Sequence, residues 1–191
     1  MQAALGGVLV LSAALAWWIC QQHRRALAVN QWQDRTAGGL YMRLPEKWTT
    51  RLRRVPGGAS YSATEPKPTL GVTRRIEIVQ EALRTPPANS QDYAYSIDNR
   101  VTPEGTQPLD FLGQKGVLTE VPLEWDEEDG MRQPRPARLF AAVILPSGVG
   151  VSVELVGPQI FVAADKQLVE QVARSLKELS GDGHGVARVE F

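Results

Sequence analysis

The sequence predicts an α+β domain, an antiparallel β-sheet flanked by helices in an α/β/α sandwich, preceded by a single transmembrane helix. Three observations lead there. Alternating or apolar segments joined by short turns recur along the chain, as in Leu139 to Leu145 and Val149 to Val156 around Pro146-Ser147-Gly148, and hairpin connections imply antiparallel pairing. Near the C-terminus, Leu168, Val172, Leu176 and Leu179, backed by Val169 and Ala173, form an amphipathic stripe. At the N-terminus, Ser12 is the one polar side chain between Ala3 and Cys20. An apolar run of roughly 20 residues is long enough to cross a bilayer core as a helix.

These features divide the chain into a transmembrane anchor over residues 1–22, a helical stalk over 23–39, a folded domain over 40–180 and a mobile tail over 181–191. Residues 3–20 are the expected membrane contact. Trp17 and Trp18 suit an interface, and His23, Arg24 and Arg25 follow. The positive-inside rule then favours a cytoplasmic domain, with export as the alternative. A rival reading is cleavage after residues 1–16, because Ala14-Leu15-Ala16 has small-x-small spacing, but the basic n-region is missing. Good helix formers from Gln21 to Thr36 and the stop at Gly38-Gly39 support the stalk.

Within the domain, Leu40 to Leu44 reads as a strand running into Pro45. From Trp48 to Val55 the faces alternate: Trp48, Thr50, Leu52 and Arg54 on one side, Thr49, Arg51 and Arg53 on the other. Pro56-Gly57-Gly58 is a turn leading into Ala59 to Thr64. Leu70 to Gln80 is the next strand, with Ile76 and Ile78 on one face. After Pro86-Pro87, Asn89 or Ser90 caps a helix that places Tyr93 and Ile97 together and Tyr95 opposite. Leu109 to Leu112 and Val117 to Trp125 form a hairpin about Gly113 to Gly116. Asp165 is expected to cap a last helix over Lys166 to Leu179.

Composition narrows the function classes. Lys+Arg and Asp+Glu both number 21, so the chain lacks the basic footprint of a nucleic-acid binder. The single Cys20 excludes an intramolecular disulfide and a thiolate metal cluster. The acidic run Glu124, Asp126, Glu127, Glu128, Asp129 lacks the ligand spacing of a calcium loop and reads as a solvated turn, with Arg132, Arg135 and Arg138 neutralising it. His23 and His184 fall in no metal-ligand spacing, and Ser147 is a turn former. No catalytic, metal or cofactor constellation emerges, and no cofactor is expected. A hydrolase-type activity would need carboxylates such as Glu77 with Glu120 or Glu154. Arg51, Arg53 and Arg54 are the candidate contacts for a lipid or a protein partner.

Leu44-Pro45-Glu46-Lys47-Trp48, the hairpin from Leu139 to Val156, and Phe161, Asp165 and Ser175-Leu176 resemble PsbP-like domains. The fold of that family includes the extrinsic protein of the photosynthetic oxygen-evolving complex and Ran-binding Mog proteins. The resemblance spans Leu40 to Leu179. It implies an antiparallel sheet between helices and a mostly non-enzymatic, protein-binding role. No site residue of the family carries over. The expectation is a membrane-anchored, non-catalytic domain that binds another protein, with a lipid- or small-ligand-binding envelope domain as the alternative.

Overall fold

The computed structural model describes residues 17–18, 31–55, 57–68, 72–121, 125–126, 133–134 and 137–179. The chain opens with a hairpin of β1 (Trp32–Ala37) and β2 (Leu40–Pro45). Next come β3 (Thr49–Val55), β4 (Gly58–Thr64) and β5 (Arg75–Ala82), then helix α1 (Ser90–Ile97). Strands β6 (Thr106–Phe111) and β7 (Gln114–Val121) follow, then the two-residue strands β8 (Trp125–Asp126) and β9 (Gln133–Pro134). Strands β10 (Ala137–Ile144) and β11 (Val149–Gly157), helix α2 (Val162–Ser175) and β12 (Lys177–Glu178) complete the fold.

Seven strands form one antiparallel sheet in the order β3-β4-β5-β11-β10-β7-β6. Apolar burial has a different partner on each face. Helix α2 and the small sheet β1-β2-β12 cover one face. There Leu40, Met42 and Leu44 of β2 and Leu168, Val169 and Val172 of α2 pack with Ile76, Ile78, Leu139, Val151, Val153 and Leu155. On the other face α1 covers β7 and β10, joining Tyr93 and Ala94 to Val121, Phe140 and Ala142. Asn89 starts α1, its side-chain oxygen accepting from the Asp92 amide at 2.9 Å. The edge strands are β3, with Arg51, Arg53 and Arg54, and β6, where Pro108 removes one amide donor.

The expected α+β sandwich is observed; the transmembrane part is not. The two helices defined within the domain are 8 and 14 residues long, against roughly 20 needed to span a bilayer. Among the described residues no helix is long and apolar enough to cross a membrane. Of the expected anchor over residues 1–22, only Trp17 and Trp18 are described, both helical and exposed, and the rest lies outside the described residues. The single-pass placement, the membrane contact by residues 3–20, the orientation and the membrane-anchored role are corrected accordingly. The question of cleavage after residues 1–16, the acidic run apart from Asp126, and the tail over 181–191 also lie outside the described residues.

Three further expectations change. Within the helical stalk expected over 23–39, Trp32–Ala37 is a strand paired to β2. Gly38 and Gly39 both take positive φ (59° and 81°), the geometry of a two-residue hairpin turn rather than a helix stop. The β6–β7 turn is Leu112-Gly113, again with positive φ at both positions, so it is tighter than Gly113 to Gly116. The last helix begins at Val162 and ends at Ser175. Asp165 therefore lies inside its first turn, and Leu179 is exposed.

Candidate functional site

Strand alternation sorts the arginine run. Arg51 and Arg53 share the α1 side of the large sheet, and Arg54 lies on the opposite side with Leu52. One row crosses the α1 side in register: Phe140, Glu154, Glu77, Ser62 and Arg51. Phe140 is sealed under α1. Beyond it no helix among the described residues covers the sheet, and β3, β4 and β5 present polar side chains. At that end a concavity of about 450 Å³ is lined by Thr49, Arg51, Arg53, Ser62, Arg75 and Glu77, among others.

The charges in this concavity are unevenly satisfied. Glu77 accepts a hydrogen bond from the Ser60 hydroxyl at 2.5 Å and an ion pair from Arg75. Burial alone would raise its pKa, but the Ser60 and Arg75 hydrogen bonds, with the charges of Arg75 and Arg53, leave it below the ordinary carboxylate range. Neither Arg51 nor Arg53 is engaged in an ion pair among the described residues. The concavity thus presents the Arg51 and Arg53 guanidinium groups with the Thr49 and Thr64 hydroxyls, donors for an anion, while the Ser62 hydroxyl donates to the Arg51 carbonyl at 3.4 Å.

The carboxylates considered for hydrolysis are arranged otherwise. Glu77 and Glu154 face each other in register on β5 and β11. Each is held by its own arginine, Glu154 by Arg138 at 2.8 and 2.9 Å. Glu120, paired in register with Leu139, lies on the α2 side. Among the described residues no cluster of His, Cys, Asp and Glu has the makings of a metal site. The apolar space between β2 and the large sheet, bounded by Leu40, Met42, Leu52 and Tyr61, is about 10 Å³, far below the ~300 Å³ at which ligand pockets begin.

Two charged networks flank the sheet, and sequence inspection missed both. Arg74 is 1% exposed and joins Asp165 at 3.0 Å and Glu65 at 3.2 Å. Its guanidinium also lies 5.4 Å from the Trp48 ring centre. The second oxygen of Asp165 is buried without a hydrogen-bond partner, and a Cβ on Gly157 would come within 2.3 Å of it. Burial pushes the Asp165 carboxyl up to about 6, although the Arg74 charge and hydrogen bond pull the other way. On the α1 side, Asp98 accepts from Arg100 at 2.8 and 2.9 Å and from Arg138 at 2.6 Å. The hydrogen bonds and charge of Arg100, with the Arg138 charge, outweigh burial and hold Asp98 at about 2. Arg138 therefore neutralises Asp98 and Glu154, whereas the sequence suggested the acidic turn. Its own pKa is raised, chiefly by the Glu154 hydrogen bonds. Arg74-Arg75 was the available clue, since adjacent strand residues face opposite ways and one of the two must point inward.

No family model matches the chain, and no curated protein matches it. Among solved structures it is similar to the solution structure of cyanobacterial PsbP (CyanoP) from Synechocystis. The TM-score is 0.50 at 12% sequence identity, over 78% of this chain and 91% of the other. That similarity is one of fold: the chain shares the PsbP-like arrangement.

Proposed function

We propose that this chain is a non-catalytic binding domain whose working surface is the half of the large sheet that no described helix covers, and that it holds an acidic polypeptide segment there. The observation that carries this reading is the pair Arg51 and Arg53, which make no ion pair among the described residues and line an open concavity of about 450 Å³ beside Thr49 and Thr64. Charge complementarity selects the occupant. Arginine forks match carboxylates in bidentate geometry, and the surrounding hydroxyls add donors. A catalytic role has less support, because Glu77 and Glu154 are both committed to arginines and Glu77 is shifted away from the proton-sharing range of a general acid.

The test is a titration of the full chain with a fluorescent heptaglutamate peptide, followed by anisotropy at two salt concentrations. Saturable binding that weakens with salt and falls about tenfold in Arg51→Gln/Arg53→Gln supports the proposal. Absence of binding, or binding unchanged in the double variant, overturns it.

A further inference from the structure

A second cavity lies at the opposite border of the large sheet, on the α2 side, and the acidic-segment reading makes no use of it. Its volume is about 380 Å³, within the ~300–1,000 Å³ range of small-molecule sites. Leu118 and Leu139, 2% and 1% exposed, line its depth. Four polar side chains, from Glu104, Gln107, Glu120 and Lys166, share the lining.

Their arrangement gives the cavity two chemically distinct ends. Lys166 of α2 donates to the Gln107 side-chain carbonyl at 2.5 Å. That bond occupies the amide's acceptor, so Gln107 retains its NH₂ donors. Lys166 retains two of its three donors. This end offers hydrogen-bond donors and a positive charge. Glu120 stands two residues along β7 from Leu118, the register partner of Gln107, a separation of roughly 7 Å along the strand. The Thr102–Gly105 turn closes by the Gly105 amide donating to Thr102. A Cβ on Gly105 would lie 3.7 Å from the Glu120 carbonyl oxygen, so this turn brings Glu104 to the Glu120 end. That end offers carboxylate acceptors. The leucines, almost sealed from solvent, close the floor between the two ends.

We infer that this cavity binds a small zwitterion of the α-amino-acid class. Lys166 and Gln107 take the carboxylate, Glu104 and Glu120 take the ammonium, and the ligand's side chain lies over the closed floor above Leu118 and Leu139. Both ligand charges contribute, because each is drawn to the opposite charge at its own end of the cavity.

The experiment is an amide ¹H–¹⁵N titration of the full chain with L-leucine, and in parallel with leucinamide, isoamylamine and 4-methylpentanoate. Leucine is expected to shift the amides of Gly105, Leu118, Glu120 and Lys166 saturably. The three single-charge analogues are expected to bind about tenfold more weakly or less. Lys166→Gln removes the preference for leucine over leucinamide, and Glu104→Gln/Glu120→Gln removes the preference over 4-methylpentanoate. Glu104 and Glu120 are exposed and Lys166 is half-buried, and an unchanged far-ultraviolet circular dichroism spectrum verifies folding. Absence of saturable shifts at the solubility limit of leucine overturns the inference. So does equal binding of leucine and leucinamide, or leucine binding unaltered in both variants. Heptaglutamate binding through Arg51 and Arg53 is read separately, so the two sites fail independently.

Discussion

Asp165 and Asp98 are the same side chain, each against arginine, and the fold moves them in opposite directions. Asp165 is fully buried, accepts from one arginine and leaves an oxygen without a donor. Asp98 is nearly as hidden, yet three side-chain hydrogen bonds from Arg100 and Arg138 and the Arg100 backbone amide converge on it. The first is pushed up to about 6 and the second down to about 2. Two differences set the sign: burial is the larger influence at Asp165, and the converging Arg100 hydrogen bonds are the larger influence at Asp98.

Removing the carboxylates puts the comparison at greatest risk. Asp165→Ala takes from the buried Arg74 its ion pair with Asp165, and a loss of about 3–5 kcal/mol is expected in urea unfolding. A loss under about 1 kcal/mol would show that the contacts Arg74 keeps, Glu65 among them, suffice. The pH dependence comes next. Asp165 has a folded pKa above its unfolded value, so its contribution is fully present below about 3.8 and is lost as pH rises through about 6. Between pH 7 and pH 4 the wild-type chain should therefore gain about 2–3 kcal/mol relative to Asp165→Asn. Asp98 has a depressed folded pKa, so its contribution holds above about 3.8 and is lost only as pH falls toward 2. A wild-type curve parallel to that of Asp165→Asn from pH 7 to 4 would refute the contrast. Smallest is Asp98→Asn, expected to cost about 1–2 kcal/mol at pH 7, since Arg138 keeps Glu154. A cost equal to that of Asp165→Ala would erase the distinction between the two sites.

What was legible in the sequence was local. The β10–β11 hairpin, the Asn89 cap and the division of Arg51 and Arg53 from Arg54 each follow from a turn, a cap or a two-residue period. Trp32–Ala37 was misassigned because Gly38-Gly39 ends a helix as readily as it turns a hairpin, and pairing with β2 overrides the helix propensity before it. Arg74 and Asp165 meet across 91 positions of sequence, and no periodicity links them. The 380 Å³ cavity is likewise assembled from a turn, three strands and a helix. Only the closed fold brings Glu104 and Lys166 into one cavity.

The two borders of the large sheet have a consequence for self-assembly. Strand addition needs a run of exposed amides and carbonyls that a second chain can zip onto. At β3 such a chain would have to settle among three arginines, and at β6 it would meet the missing donor of Pro108. Crowded copies are thus discouraged from polymerising edge to edge, and recognition is directed to the broad surfaces between the borders.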